Sequence, residues 1–242
     1  MTSSDLWDAD TAARYDQSSA AMFAPEVLDP TVDLLVGLAG EGRALELAIG
    51  TGRVGIPLLE RGVDVTGIEL SAPMVEQLHR KRPDLPVVVG DMATTRVEGR
   101  YALVYLVFNT IGNLCTQDEQ VACFANAAAH LQPGGRFVVE VGVPALRRLP
   151  PGQRAVPFDV SEGHVGLDTY DPVTQRATSH HYTRQADGSY RYGPHHYRYV
   201  WPSELDLMAR LAGMHLERRM ADWSGAEFTA ESESHVSLWR RD

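Results

Sequence analysis

From Arg43 to about residue 145 the chain alternates short apolar runs with amphipathic stretches of helical period, and this alternation limits its fold more than any other feature. Strands separated by helices pair in parallel, because a parallel pair needs a crossover of a dozen or more residues. "RALELA" (43–48), "VDVTGIEL" (63–70), "LPVVVGD" (85–91), "YALVYLVFN" (101–109) and "RFVVEVGVP" (136–144) read as strands one to five. Between them, "VGIPLLERG", "SAPMVEQLHRKR" with Ser71 as its cap, and "QDEQVACFANAAAHLQ" read as helices, the last followed by a turn at Pro133-Gly134-Gly135. Upstream, "WDADTAARYDQSSA" and "PEVLDPTVDLLVGLAG" predict two helices that pack beside strand one.

The pattern breaks after Pro150-Pro151-Gly152. Residues 155–201 are rich in Tyr, His, Val and Arg, and "HHYTRQADGSYRYGPHHYRYVW" predicts a β-hairpin turning at Asp187-Gly188. With that turn, paired residues carry numbers summing to 375, so His180 faces His195 and Thr178 faces Tyr197. "WPSELDLMARLAGM" returns as a helix with Pro202 in its first turn, and "HLERRMADW" and "ESHVSLWRRD" follow without a helix between them, as an antiparallel pair at the sheet edge.

Composition excludes some functions. A formal net charge of −10 argues against a sequence-independent nucleic-acid binder, which needs clustered Lys and Arg. The basic cluster "HRKRPD" (79–84) ends a helix and complements its dipole. No apolar run is long enough to cross a bilayer, and the acidic N-terminus is unlike a signal peptide, so the expected location is the cytoplasm, with Cys115 and Cys123 reduced.

The chemistry centres on "LELAIGTGRVG" (45–55). Gly50, Gly52 and Gly55 stand at the G-x-G-x-x-G spacing, with Glu69 nineteen residues after Gly50, a pattern that fits a nicotinamide or flavin dinucleotide. The alternative ligand is S-adenosylmethionine. Glu46 interrupts the strand four residues before Gly50, and a carboxylate there repels a pyrophosphate but attracts the ammonium of a methionine moiety. Glu69, ending strand two, can accept from ribose hydroxyls, and Asp91, just past strand three, from an adenine amino group. Three acids at the ends of consecutive strands form a row along one crevice.

On these residues the sequence resembles the class I S-adenosylmethionine-dependent methyltransferases, over roughly residues 40–145 and again from 202 to the end. "LELAIGTGR" is similar to the family's first motif, with Glu46, Gly50 and Gly52 in place but Ala48 where the first glycine usually stands. "VTGIELS" resembles the ribose motif with Glu69 and Leu70, and "VVVGDM" the adenine motif with Asp91 and Met92. Gly55 then completes a dinucleotide fingerprint through helix packing alone. The resemblance implies an α/β Rossmann-like sheet of order 3-2-1-4-5-7-6, N-terminal helices and an inserted antiparallel layer. It also implies that Tyr15, in "RYDQ", closes over the cofactor's carboxylate end.

"ARYDQSS", "FNTIGNL" and the Tyr/His-rich insertion look like the small-molecule N-methyltransferases that act on amino sugars and amino acids. Residues 1–154 and 202–242 are accordingly expected to bind S-adenosylmethionine, and residues 155–201 to form a lid over a small-molecule acceptor. Asn109 and Thr110, directly after strand four, are placed to orient the acceptor or line the methyl group. His180 and His195 are the candidate proton acceptors, with no metal expected. A small-molecule O-methyltransferase, an NAD(P)-binding oxidoreductase and a cofactor-binding module without turnover are the competing readings. The expected partners are a small molecule and a second copy of the chain in a homodimer, with neither nucleic acid nor membrane.

Overall fold

The structure, a computed structural model, describes residues 7–145 and 149–242. The first six residues, which carry the start of the N-terminus read as unlike a signal peptide, lie outside the described residues. The first five strands are β1 (Ala44–Leu47), β2 (Val65–Glu69), β3 (Val87–Val89), β4 (Tyr101–Leu106) and β5 (Leu131–Gly142). Then come β6 (Ala155–Val160), β7 (His164–Asp171), β8 (Arg176–Arg184) and β9 (Tyr190–Arg198), followed by β10 (Met214–Met220) and β11 (Ser234–Arg241).

Strands β1 to β5 pair in parallel, β11 pairs antiparallel with β5, and β10 with β11, giving one seven-stranded sheet of order β10-β11-β5-β4-β1-β2-β3. Counted along the chain, the expected order 3-2-1-4-5-7-6 becomes 3-2-1-4-5-11-10, because four inserted strands intervene between β5 and the terminal pair.

Helices α1 (Ala9–Ser18), α2 (Pro25–Ala39), α3 (Gly55–Glu60), α4 (Ala72–Lys81), α5 (Gln117–His130) and α6 (Pro202–Leu211) complete the fold. Local chemistry sets their ends. The Ser71 hydroxyl caps α4 by accepting from the Met74 N–H at 3.2 Å, and Thr116 and Glu119 form a reciprocal capping box on α5. His79, Arg80 and Lys81 close α4 with the charge its carboxyl end favours.

Helices cover both faces of the sheet, so its central strands are apolar throughout rather than alternating. Along β4, Val104 and Leu106 enter one core with Phe124, Phe137 and Trp239, while Leu103 and Tyr105 enter the other with Leu35, Leu58 and Leu78. Two expectations need correcting. Helix α1 packs on α4 rather than beside strand one. Pro133-Gly134-Gly135 is not a turn before strand five but an irregularity within β5, where the register against β4 shifts and Gly134 takes φ +75°.

Strands β6 to β9 form a separate four-stranded antiparallel sheet in chain order. Strand β9 lies against the 3₁₀ turn Thr110–Asn113 that follows β4, which sets this sheet over the carboxyl end of the parallel one. Arg198, buried at the end of β9, ties the layers together by donating to Glu204 at 2.6 Å, to Gln175 at 2.9 Å and to Gln120.

The β8–β9 hairpin also departs from expectation. The Gln185 N–H donates to the Ser189 carbonyl, leaving Ala186, Asp187 and Gly188 as a three-residue loop with Gly188 at φ +83°. An odd loop moves the register by one, so His180 pairs with Pro194, Ser179 with His195 and Thr178 with His196. A shift of one sends neighbouring side chains to opposite faces. His180 and His195 therefore do not face each other. Among the described residues no helix is long and apolar enough to cross a membrane.

Candidate active site

The carboxyl ends of β1, β2 and β3 place Glu46, Glu69 and Asp91 along one edge of the parallel sheet, and a small pocket opens at the loop that follows β1. Beyond β1 the chain turns through Ala48 (φ +55°), Gly50 (φ +59°) and Gly52 (φ +85°). A side chain at Gly50 would meet nothing within 4 Å, so the glycine leaves open space above the loop. Gly55 is different: a Cβ there would stand 2.8 Å from both Glu46 Oε2 and Ile49 Cδ1, so this glycine lets α3 close onto β1.

Glu46 is 2% exposed. Its Oε2 accepts from the Tyr105 hydroxyl at 2.9 Å, and burial pushes its carboxyl up to about 8, with the Tyr105 bond and the nearby Arg53 guanidinium pulling the other way. Glu69 is also buried, and burial raises its pKa against the opposing pull of the Ser71, Gly50 and Leu70 backbone N–H groups. The Gly50 N–H donates to one of its oxygens and the Ser71 N–H to the other, each at 2.8 Å. Glu69 thus holds the glycine loop to the end of β2, while each oxygen retains a further acceptor position.

Asp91 uses one oxygen to accept from the Ala93 N–H at 2.7 Å. Met92 sends its side chain into the core and its carbonyl accepts from the Asn126 amide at 2.7 Å, whereas Leu70, beside Glu69, is 38% exposed.

Helix α1 lies over this edge. Asp16 accepts from the Thr51 hydroxyl on the glycine loop and, at 2.6 Å, from the Lys81 ammonium on α4, and the Ser71 hydroxyl donates to the Trp7 carbonyl at 2.7 Å. These contacts bring Tyr15 into the small pocket with Glu46, Ala48, Gly50, Arg53, Phe108 and Thr110.

A larger cavity of about 490 Å³ adjoins it beneath β7, β8 and β9. Tyr15, Phe108 and Thr110 line both spaces. Phe108 and Asn109 stand at φ +57° and +60°, a conformation that L residues avoid at a cost of roughly 1–2 kcal/mol each. Three bonds hold them there. The Phe108 N–H donates to the Glu140 carboxylate at 2.8 Å, the Asn109 N–H to the Glu140 carbonyl at 3.1 Å, and the Asn109 side-chain oxygen accepts from the Gly142 N–H at 2.6 Å.

From the antiparallel sheet, Asp168, Tyr170, Ser179, His195 and Tyr197 reach the cavity from one face. His195 shares its Nε2 hydrogen with Asn113 Oδ1 at 3.1 Å, and burial together with the charges of His181 and His196 lowers its pKa. It is therefore a neutral imidazole at pH 7 with Nδ1 as acceptor. Burial also pushes Tyr170 up to about 12 and raises Tyr197 further, so both phenols stay protonated.

His180 does not line the cavity. On the opposite face, its ring bonds to the Thr169 hydroxyl at 3.0 Å and the Tyr192 hydroxyl at 2.7 Å. Tyr15, Glu46, Ala48 and Gly50 come together in the small pocket, with Glu69 bonded to its loop, while Asn109 and His195 meet in the large cavity. Sequence reasoning missed Arg53, Asp168 and Tyr170. Arg53 stands inside the glycine motif itself, and Asp168 lies on a strand whose inward face needs the register to be known.

Comparison with known proteins agrees with this geometry. Residues 44–135 match a family described as a methyltransferase domain. The CcbJ methyltransferase structure from Streptomyces caelestis superposes with a TM-score of 0.79 at 38% identity, covering 88% of each chain. The cypemycin N-terminal methyltransferase of a Streptomyces species is 26% identical over the full length of both proteins. The dTDP-3-amino-3,4,6-trideoxy-α-D-glucopyranose N,N-dimethyltransferase of Streptomyces venezuelae is 32% identical over 56% of this chain and 58% of that one.

The fold and the strand ends together define a Rossmann-like nucleotide-binding enzyme with carboxylate acceptors at three strand ends. The chain belongs to the class I S-adenosylmethionine-dependent methyltransferases, and S-adenosylmethionine is its cofactor. The residues fit that molecule in kind: Glu46, Glu69 and Asp91 place carboxylate oxygens at three neighbouring strand ends, and the space over Gly50 is open. The dinucleotide reading is not favoured, since Glu46 lies buried directly beneath the glycine loop, where a pyrophosphate would sit.

Proposed function

We propose that this enzyme methylates the nitrogen of a small-molecule amine, with the sheet domain (1–154 and 202–242) binding the cofactor and residues 155–201 selecting the acceptor. One observation carries the reading. The small pocket at the glycine loop and the aromatic cavity share Tyr15, Phe108 and Thr110 as walls, so a cofactor whose methionine end lies in the first presents its reacting end to the second.

When bound, S-adenosylmethionine supplies a methyl group on a positively charged sulfur, already activated for displacement. The protein's contribution is to bind, align and exclude water, which can lower the barrier by about 7 kcal/mol. Glu46 holds the amino group of the methionine moiety, Glu69 the ribose hydroxyls, and Asp91 the adenine amino group against Leu70 and the Met92 backbone. Tyr15 closes the carboxylate end.

On the acceptor side, neutral His195 takes a proton at Nδ1 from an incoming ammonium, freeing the nitrogen lone pair for attack. Asp168 then faces a nitrogen that gains positive charge as the new bond forms, whereas the same carboxylate would oppose an alkoxide or phenolate. Nitrogen is also the atom named in the relatives from Streptomyces. The two free cysteines, Cys115 and Cys123, suit the reducing cytoplasm.

The test is S-adenosylhomocysteine formation with matched panels of amines and alcohols. Turnover is expected with amines and not with their hydroxyl counterparts. Turnover confined to hydroxyl acceptors would overturn the assignment.

A further inference from the structure

Among the described residues that line the large cavity, Asp168 is the single charged side chain, and it has no cation beside it there. Its oxygens accept from two neutral donors, the Tyr170 hydroxyl at 3.2 Å and the Ser179 hydroxyl. A carboxylate offers about four acceptor positions, so two such bonds leave it able to take a charged donor. Around it the walls are aromatic. Tyr170 and Tyr199 meet edge to face with centroids 5.7 Å apart, Trp7 and Tyr15 do the same at 5.6 Å, and Phe108 and Tyr197 complete the lining.

A carboxylate among aromatic rings is poorly matched to a phosphate and well matched to an organic cation, which gains from the ring faces and from the anion together. Methyl groups on nitrogen spread its charge over apolar surface and add contact with those rings. On the opposite face of the same sheet, His180 is held by the Thr169 and Tyr192 hydroxyls.

We infer that this cavity is an alkylammonium box: it recognises a basic amine that carries no phosphate, and it holds the N-methylated cation well enough for a further methyl transfer to the same nitrogen. The inference rests on the cavity being the acceptor site. It separates this enzyme in acceptor chemistry from relatives whose names specify nucleotide-linked amino sugars.

The test uses probes that need no knowledge of the natural acceptor. Full-length protein saturated with S-adenosylhomocysteine is titrated with choline and with 3,3-dimethylbutan-1-ol, its neutral carbon isostere, following the resonances of His195 and Tyr170. Choline should bind about ten-fold tighter or more. Asp168→Asn should remove most of that preference while leaving S-adenosylhomocysteine affinity within about two-fold. Thymidine diphosphate should not displace choline.

Equal binding of the two isosteres would overturn the box while leaving the cavity as an acceptor site. If neither probe moves those resonances, the acceptor reading fails together with the inference. Displacement of choline by thymidine diphosphate would overturn the phosphate-free acceptor.

Discussion

The pocket at the glycine loop beyond β1 and the cavity under β7 to β9 share three wall residues, yet the strand ends beside the first and the sheet above the second are built by different rules. At the first, functional groups sit at strand ends and in the loop that follows, so chain position alone determines where they go. Its two buried acids, Glu46 and Glu69, are fixed by Tyr105 and by backbone N–H groups. In the cavity, functional groups project from one face of an antiparallel sheet, and a slip of one residue exchanges the whole set. The first construction suits a fixed ligand. The second lets a cavity be rebuilt by substitution without disturbing the first.

The sharpest way to break this division is at His195. His195→Phe keeps the ring but removes the proton acceptor, and turnover should fall about a hundred-fold in kcat while S-adenosylhomocysteine affinity stays within a few-fold. Because the His195 pKa is lowered, the wild-type enzyme should keep its neutral base to below pH 6.5 and lose activity only as pH falls further. A pH–rate profile checks this. An acid limb above pH 6.5 would count against His195 as the base.

Next in size is Glu69. Removing its carboxylate by Glu69→Ala should weaken cofactor binding by about thirty-fold, or roughly 2 kcal/mol, by calorimetry. The cofactor-free protein should also lose roughly 1–3 kcal/mol in denaturant unfolding, since the Gly50 and Ser71 N–H groups lose their partner. The bonds to the loop make Glu69 a brace of the glycine loop, which the sequence alone did not disclose.

Glu46 should give a smaller effect with a clear sign. Its carboxyl titrates near 4.5 when unfolded and about 8 when folded, so the folded state holds a proton that the unfolded chain has lost. Stability of the cofactor-free protein therefore falls as pH rises across that window, and Glu46→Gln should flatten the fall. The ammonium of S-adenosylmethionine favours the carboxylate, so binding at pH 7 should release a proton, measurable in buffers of different ionisation enthalpy. Glu46→Gln should abolish the release and weaken S-adenosylmethionine about ten-fold, with adenosine binding nearly unchanged. Equal losses for both ligands would make Glu46 structural.

The smallest effect is expected at Ala48, an alanine held at φ +55°. Ala48→Gly relieves the left-handed strain and should raise stability by roughly 1 kcal/mol, or about 2–4 °C in Tm, leaving the acceptor side untouched.

These contrasts explain what could be read from residues alone. The strand–helix alternation, Ser71 as a cap, and the row formed by Glu46, Glu69 and Asp91 are local or periodic features, and they stand in the structure where the pattern put them. The inward face of the four-stranded sheet was not legible, because it depends on loop parity. A two-residue turn at Asp187-Gly188 and the three-residue loop around it differ by one position, and that position separates His180 from His195. Asp168 and Tyr170 gave no motif, since nothing in "LDTYD" tells which of its alternating side chains faces inward. The strain at Phe108 and Asn109 was equally hidden, because it is imposed by Glu140 and Gly142 on a neighbouring strand.

The central claim is that two differently built sites meet at Tyr15, Phe108 and Thr110. A crystal structure of the enzyme with S-adenosylhomocysteine tests it most directly. Adenosine is expected along the ends of β2 and β3 with Glu69 at the ribose, the amino group at Glu46, and the sulfur turned toward Phe108 and Thr110 at the mouth of the His195 cavity. Adenosine lodged among Asp168, Tyr170 and His195, or a sulfur facing away from that mouth, would contradict it.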